Sequence, residues 1–306
     1  MTAVVTGSAG FIGSHLVEFL AARGEHVVGV DRRLPAVRLP GDHILADLAD
    51  PAAGDMLHDV CRSASVVFHL AASSGVRSRL SELERLRDNV VAGRRVLRAV
   101  HRQLQVVVTS SSSVYGGCLP ARAGGFRPNR EDDPLRPRGS YARSKVEVER
   151  ACAERAAAGG SVAVARPFTV GGERQRPDMA LSRWLQAARL GEPLRVFGSP
   201  DRVRDVTDVR EVVRGLVAMA EREVQGVVNL GSGQGHRLSE LTAAVAEVTG
   251  VPVRLLVEKG HPEEVPVTLA DTGRCSRLLG FVPRTDLADL LRRQALSDPA
   301  RLEEAG

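Results

Sequence analysis

The first thirteen residues limit the fold more than any other stretch. Thr2-Ala-Val-Val-Thr6 reads as a short buried strand, Gly7-Ser-Ala-Gly10-Phe-Ile-Gly13 follows at once, and an amphipathic pattern from about Phe11 to Arg23 predicts a helix. Strand, glycine loop and helix in that order make a tight turn whose backbone N–H groups face outward at a helix start, where a pyrophosphate can sit. The G-x-x-G-x-x-G spacing is a variant of the dinucleotide fingerprint. The next strand, His26-Val-Val-Gly-Val30, ends in Asp31, eighteen residues after Gly13. A carboxylate there can accept both hydroxyls of an adenosine ribose and repels a 2′-phosphate. That favours NAD, while Arg32 and Arg33 keep NADP as an alternative.

The following segments extend the same pattern. Asp47 and Leu48 end a short strand, His43-Ile-Leu-Ala46, in a position to flank an adenine. A strand at residues 65–70 runs into Ala71 and Ala72, whose small side chains permit close approach of a cofactor; His69, on an apolar strand, reads as a core histidine. Helices predicted at about 82–102 and 141–158 bracket a strand at 106–109. This alternation implies an α/β fold with a parallel, doubly wound (Rossmann) sheet.

The texture changes after a strand at 162–166. Residues 167–177 are rich in Gly, Pro and Arg and read as a loop. Shorter elements follow: a helix near 179–189, a strand near 194–197, a helix near 208–221, a strand at 226–230, a helix at 239–248 capped by Ser239, and a short terminal helix. The expected division is a dinucleotide-binding domain over 1–168, with about 202–230 returning to it. Residues 169–201 and 231–306 make a smaller C-terminal substrate-binding lobe.

The chemistry concentrates in Ser140-Tyr-Ala-Arg-Ser-Lys145. Tyr141 and Lys145 are four apart and share a helix face. An ammonium beside a phenol favours the phenolate, which makes Tyr141 a plausible base toward a substrate hydroxyl. Ser111, at the end of the apolar strand Gln105-Val-Val-Val-Thr109, can hold the same oxygen. The spacing alone is common by chance and takes its weight from the residues before it. Lys145 and Lys259 are the only lysines among 42 basic residues, which fits a role needing a titratable ammonium at Lys145.

Composition bounds the remaining classes. The chain has 306 residues, 43% hydrophobic and 26% charged, ordinary values for a soluble globular protein. No apolar run approaches a membrane span and the N-terminus lacks a signal-peptide pattern, so a cytoplasmic protein without a membrane partner is expected. The net charge of +5 is scattered, and only 3% of residues are aromatic, which leaves few stacking platforms for nucleic acid. Cys61, Cys118, Cys152 and Cys275 form no C-x-x-C pair, against a disulfide framework or a zinc site.

Together these residues resemble the extended short-chain dehydrogenase/reductase family, specifically its NAD-dependent sugar-nucleotide epimerases and dehydratases. The likeness runs from Thr6-Gly-Ser-Ala-Gly-Phe-Ile-Gly13 through His69-Leu-Ala-Ala72, Asp88-Asn-Val90, Ser110-Ser-Ser-Ser-Val-Tyr-Gly116 and Ser140-Tyr-Ala-Arg-Ser-Lys145. It continues in Arg204-Asp205, Asn229-Leu-Gly-Ser-Gly233 and Ala270-Asp271. The resemblance implies that Tyr141 removes the proton of a sugar hydroxyl while C4 gives hydride to NAD. Lys145 binds the nicotinamide ribose and lowers the phenol pKa, Ser111 bonds the reacting oxygen, and a 4-keto sugar results. It further implies NAD binding by Gly7, Gly10, Phe11, Ile12, Gly13, Asp31, Asp47, Leu48, Leu70, Ala71, Ala72, Asn89, Tyr141 and Lys145. The implied substrate residues are Val76, Arg77, Ser111, Ser112, Ser113, Thr169, Arg176, Arg204 and His261.

The fate of the 4-keto sugar separates the branches. Resembling dehydratases carry acids after the catalytic hydroxyl, and the related decarboxylases place a Glu before Val-Tyr-Gly. Here Ser112 and Ser113 stand at those positions, which favours 4-epimerisation. Thr169 together with Arg176-Pro-Asp-Met-Ala180 looks like UDP-glucuronate 4-epimerases, with Thr169 and Arg176 toward the sugar carboxylate. The alternative is that Arg176 is only a solvated loop charge. Two departures stand out: Gly171-Gly172-Glu173 replaces Tyr-Gly-Pro, and His261 replaces a diphosphate-binding arginine. The expected substrate is therefore a UDP-sugar, most simply UDP-glucuronate going to UDP-galacturonate. UDP-glucose or UDP-N-acetylglucosamine epimerisation, decarboxylation, dehydration or ketoreduction, and non-catalytic nucleotide sensing are the alternatives. The resemblance also implies a homodimer through the helices at 82–102 and 141–158.

Overall fold

The computed structural model describes residues 1–73, 80–122 and 124–297. The strands β1 (Thr2–Thr6), β2 (His26–Asp31) and β3 (Asp42–Leu45) alternate with the helices α1 (Phe11–Ala22) and α2 (Ala53–Cys61). Then come β4 (Val66–His69), α3 (Glu82–Arg85), a π-helical turn (Leu86–Val91), α4 (Ala92–Ala99) and β5 (Gln105–Thr109). A 3-10 turn (Ser112–Tyr115) and a small hairpin, β6 (Leu119–Pro120) and β7 (Phe126–Arg127), lead to α5 (Gly139–Ala157) and β8 (Val162–Pro167).

The second part of the chain holds β9 (Thr169–Gly171), α6 (Ala180–Arg189), β10 (Leu194–Phe197), β11 (Val203–Asp208), α7 (Val209–Glu221) and β12 (Gly226–Leu230). It closes with β13 (Gly235–Arg237), α8 (Leu238–Thr249), β14 (Leu255–Glu258), β15 (Val267–Thr268), α9 (Gly273–Leu279) and α10 (Leu287–Leu296).

The main sheet has seven parallel strands in the order β12-β8-β5-β4-β1-β2-β3. Both of its faces are covered, which is why its strands read as near-continuous apolar runs. Period-two alternation still divides them. Ala3 and Val5 of β1 join a core with Leu16, Val17 and Leu20 of α1 and Leu216 of α7. Val4 faces the other core, with Leu57 of α2, Val96 of α4 and Val148 of α5. Strand order reverses between β1 and β4, so a crevice opens beyond their C-terminal ends, the usual ligand position in such sheets. The expected doubly wound sheet is thus the one formed.

A smaller layer carries the rest. β11 pairs with β9 and β15 in parallel and with β13 antiparallel, while β10 pairs with β14. Leu181, Trp184 and Leu185 of α6, Leu241 of α8 and Leu290 of α10 form its core. Three sequence expectations need correction. The stretch 167–177 contains β9, because Thr169-Val-Gly171 finds an edge on β11. Helix α8 begins at Leu238, so Ser239 lies inside its first turn; the N-cap is Arg237, whose N–H donates to Glu240 Oε2 at 2.8 Å. The helix expected at 82–102 changes to π-helix over Leu86–Val91 and ends at Ala99. Among the described residues no helix is long and apolar enough to cross a membrane.

Candidate active site

The glycine loop sits in the crevice and its shape depends on missing side chains. Gly7 has φ +75°, and a Cβ there would lie 2.6 Å from the Ala71 nitrogen; one on Gly13 would run into the Gly7 carbonyl. The loop is tied to β2 on its other side: Gly7 N donates to Val30 O at 2.8 Å, and Ala9 N donates to Asp31 Oδ2 at 3.1 Å. Asp31 Oδ1 accepts from Arg33 N at 3.1 Å. Arg32 donates to Asp88 at 2.8 Å. Asp47 pairs with Arg87 and accepts from Ala49 N, while Leu48 is buried and its carbonyl accepts from Arg95 at 2.7 Å.

Leu70, Ala71 and Ala72 continue β4 against this loop. Asn89 is buried and fully used: Oδ1 accepts from Ser73 N at 2.7 Å, and Nδ2 donates to Ser73 O and, at 2.8 Å, to Ser144 Oγ. It therefore clamps the chain after β4 to α5. His69 is a core histidine as expected, 2.7 Å from Thr6 Oγ1, with burial and then Lys145 pushing its pKa down to about 3.

Tyr141 is partly buried on the first turn of α5. Burial pushes its phenol above the usual value, while a hydrogen bond with Ser111 and the charges of Arg176 and Arg85 pull the other way. Ser111 thus meets the Tyr141 phenol, and Arg176 acts on it through its charge. Lys145 does not supply that pull. Its Nζ donates to Thr109 O at 2.8 Å, and burial, opposed by Glu149, brings the ammonium down to about 8. The expectation that Lys145 lowers the phenol pKa is replaced here by two arginines, since the ammonium is drawn to a backbone carbonyl.

Ser112 and Ser113 lie in the 3-10 turn, Ser113 N donating to Ser111 Oγ at 3.2 Å. Ser113 Oγ is buried with no hydrogen-bond partner among the described residues. Thr169 starts β9 opposite Val206. Arg176 forms a two-pronged pair with Asp178, both contacts 2.8 Å. Arg204 lies on β11 opposite His236 and reaches backbone carbonyls of Val203 and Pro266. His261 is exposed, its Nδ1 accepting from Glu263 N at 3.3 Å. Its loop reaches the site elsewhere: Val265 lies against Gly117, and the Glu263 carboxylate against Gly139 at the start of α5. Val76 and Arg77 fall outside the described residues.

The departure at Gly171-Gly172-Glu173 has a packing reason. Gly172 has φ +135°, and a Cβ there would lie 2.7 Å from Val209. The Glu173 carboxylate bonds Arg210 at 2.5 Å and Arg293 at 2.6 Å, and its carbonyl accepts from His15 Nε2 at 2.8 Å. The next residue, Arg174, grips Glu18 with both terminal nitrogens, at 2.8 and 2.6 Å. Ion pairs therefore fix the base of the Arg176 loop.

Beneath Tyr141 lies a buried polar network absent from the sequence reading. Arg166 grips Glu149 through Nε at 2.9 Å and NH2 at 2.6 Å, and donates to Tyr115 OH at 2.8 Å. Tyr115 OH donates to Asn229 Oδ1 at 2.6 Å, and Asn229 N donates to Glu131 Oε1 at 2.9 Å. Burial pushes the Tyr115 phenol up to about 12. Asp205 joins Ser232, Gly233 and Ala270 through their N–H groups at 2.9–3.0 Å, which explains why Arg204-Asp205, Asn229–Gly233 and Ala270-Asp271 occur as a set. The only signal available was polarity within apolar strands.

The family model for the NAD-dependent epimerase/dehydratase family matches residues 3–231. The chain belongs to that family. MoeE5, solved with UDP-glucuronic acid and NAD and also with UDP-glucose and NAD, is 38% identical over 99% of this chain and 100% of its own, with TM-scores of 0.87 and 0.88. An uncharacterized UDP-glucose epimerase, YtcB, of Bacillus subtilis is 30% identical over 96% of each chain. A UDP-glucuronate 4-epimerase of Thermodesulfobacterium geofontis is 28% identical over 95% of this chain and 94% of its own. This member of the epimerase/dehydratase family is an enzyme acting on nucleotide sugars with NAD as cofactor. The crevice fits that cofactor: a side chain at Gly7 or Gly13 would fill the loop, and a carboxylate stands at the end of β2.

Proposed function

We propose that the chain catalyses 4-epimerisation of a UDP-sugar, with UDP-glucuronate and UDP-galacturonate as the pair interconverted. One observation carries the reading: Ser111 contacts the Tyr141 phenol, and the charge of Arg176, a fork suited to a carboxylate, is felt at that phenol. In this reading the glycine loop, Asp31, Asp47, Leu48 and the residues after β4 would hold NAD, which would supply a reversible hydride acceptor for C4. Tyr141 removes the O4 proton and later restores it. Ser111 holds that oxygen, and Lys145, pinned to Thr109, orients the nicotinamide ribose. Ser112, Ser113 and Thr169 line the sugar, and Arg204 and His261 face the diphosphate. The absence of a carboxylate at 112 and 113 leaves rotation of the ketone and hydride return as the simplest outcome. MoeE5, solved with UDP-glucuronic acid and also with UDP-glucose, supports a UDP-sugar as the substrate.

A neutral UDP-hexose is the second reading, favoured by Asp178, which already fills the Arg176 fork. The proposal retains the division into residues 1–168 with about 202–230 and a substrate lobe over 169–201 and 231–306. Within it, β12 joins the main sheet and β11 the lobe sheet. It also retains a cytoplasmic homodimer formed through the helical segments at about 82–102 and 141–158.

The deciding experiment incubates the enzyme with UDP-glucuronate, UDP-glucose and UDP-N-acetylglucosamine and identifies products by NMR. UDP-galacturonate without carbon dioxide release supports the reading. A UDP-pentose with carbon dioxide would replace it by decarboxylation.

A further inference from the structure

Arg176 follows four residues that are each tied to another part of the molecule. Gly172 N donates to Gln294 Oε1 of α10 at 3.1 Å. The Glu173 carboxylate accepts from Arg210 of α7 and Arg293 of α10, and its carbonyl bonds His15 of α1. Arg174 grips Glu18, also on α1. Gln175 is 8% exposed; its Nε2 donates to Val170 O at 2.7 Å, and its Oε1 accepts from Gln294 Nε2 and Ser182 Oγ, both at 2.9 Å. Arg176 is the first side chain beyond these ties, and it bonds Asp178 on its own loop.

This strap is bent against the preference of the backbone. Arg174 has φ +61°, one of two non-glycine residues in the left-handed region among the described residues, and Gly172 just before it has φ +135°. A residue with a side chain adopts that region rarely, and holds it where its surroundings over-determine it. The two-pronged pair with Glu18 supplies such a constraint, although the two side chains are 25% and 41% exposed. A pair that exposed adds little to stability. Its effect is on where the chain goes next. His15 and Glu18 are three apart on one face of α1, and α1 starts from the glycine loop. The helix at the cofactor crevice therefore also sets the path of the chain two residues before Arg176. Arg293 and Gln294, adjacent on α10, hold the same strap from a second element.

We propose that residues 172–175 form a preorganised strap that aims Arg176, with Glu18 and Arg174 as positioning residues for recognition of the sugar carboxylate. The role rests on the reading of Arg176 as the partner of that carboxylate. A fork already held in place avoids the loss of side-chain and loop freedom that a free arginine would incur on binding. A double-mutant cycle with Arg176→Ala separates the two, because residues that act through one another are not additive.

Glu18→Gln weakens the pair, and Arg174→Gly removes it while accepting φ +61° without strain. Each should lower kcat/KM for UDP-glucuronate by about two- to tenfold, the size of one side chain's ordering, and chiefly through KM. UDP-glucose should change by less than about twofold, below that same range. In the Arg176→Ala background neither substitution should have any further effect on the uronate. Without turnover, backbone hydrogen exchange read by mass spectrometry should quicken over residues 172–178 in Glu18→Gln and stay as in wild type along the rest of α1. Equal losses on both substrates, losses that persist at full size beside Arg176→Ala, or unchanged exchange over 172–178 would overturn the role. If Arg174→Gly does not fold, Glu18→Gln, at a more exposed position, carries the same cycle. Should Arg176→Ala itself lose equally on both substrates, the carboxylate reading fails, while the cycle and the exchange still decide whether the strap aims Arg176.

Discussion

The polar groups beneath Tyr141 and those around Arg176 are built on opposite terms. Glu149 and Arg166 are 8% and 4% exposed and are joined by two hydrogen bonds inside a network that also satisfies Tyr115 and Asn229. Arg176 and Asp178 form an equally well-aligned pair, but their side chains are 32% and 53% exposed. Separating the first pair strands a charge where water cannot reach it. Separating the second hands both partners to solvent, or to a ligand, at little loss. On the proposed reading the base stands on a fixed foundation, while the group proposed to meet substrate charge is held by a contact that another carboxylate can replace. That reading divides catalysis and selection between a rigid network and an exchangeable one.

The hardest break is at the base itself. Tyr141→Phe should lower kcat on UDP-glucuronate by about 10²–10⁴-fold, the range for a positioned acid–base group. Circular dichroism and NAD binding should stay as in wild type, because the ring and the Asn89 clamp remain. Near-normal turnover would move the chemistry elsewhere.

Stability comes next. Arg166→Met leaves Glu149 buried without its partner and should reduce unfolding free energy by about 3–5 kcal/mol. Arg174→Ala, which cuts an equally two-pronged but more exposed pair with Glu18, should lose no more than about 1 kcal/mol. Urea unfolding of both variants measures the difference, and equal losses would erase the contrast between the two networks.

What was legible in the sequence follows the same division. The glycine loop, Asp31 and the apolar strands were readable because each depends on neighbours a few residues away. His69 was readable as core because it sits in an apolar strand. The partners of Glu149, Tyr115 and Asp205 were not, since periodicity reports which side of an element is buried and not what meets it there. The burial of Arg85, 2% exposed, was hidden for a related reason: a charge in Glu82-Leu-Glu-Arg85 reads as part of a solvated helix face. Lys145 was matched to Tyr141 by spacing, yet the ammonium found Thr109 O, a partner no local pattern encodes.

A smaller effect separates substrates. Arg176→Ala should lower kcat/KM for UDP-glucuronate by about ten- to hundredfold, from a charged hydrogen bond of about 1.5–3 kcal/mol. UDP-glucose has no carboxylate to lose and should change little. Thr169→Ala should act in the same direction more weakly, because it removes a neutral hydroxyl. Equal losses on both substrates would place Arg176 with the diphosphate or with the loop's own structure.

The smallest effect tests exchangeability directly. Arg176 holds the Asp178 carboxyl below its usual range, so Asp178 is ionised throughout neutral pH and no change of pH between about 6 and 9 will release the fork. Only a ligand or a substitution can do so. A part-exposed pair of this kind is worth up to about 1 kcal/mol, which is about a fivefold change in affinity. If a uronate must displace Asp178, Asp178→Asn should raise kcat/KM for UDP-glucuronate by up to that factor and leave UDP-glucose unchanged. If Asp178 instead keeps Arg176 aimed at the sugar, the same substitution should lower uronate turnover, and the ion pair would count with the rigid network rather than against it. Steady-state kinetics on the two substrates, with wild type and Asp178→Asn side by side, gives the sign. A gain confined to the uronate is the result that an exchangeable contact requires.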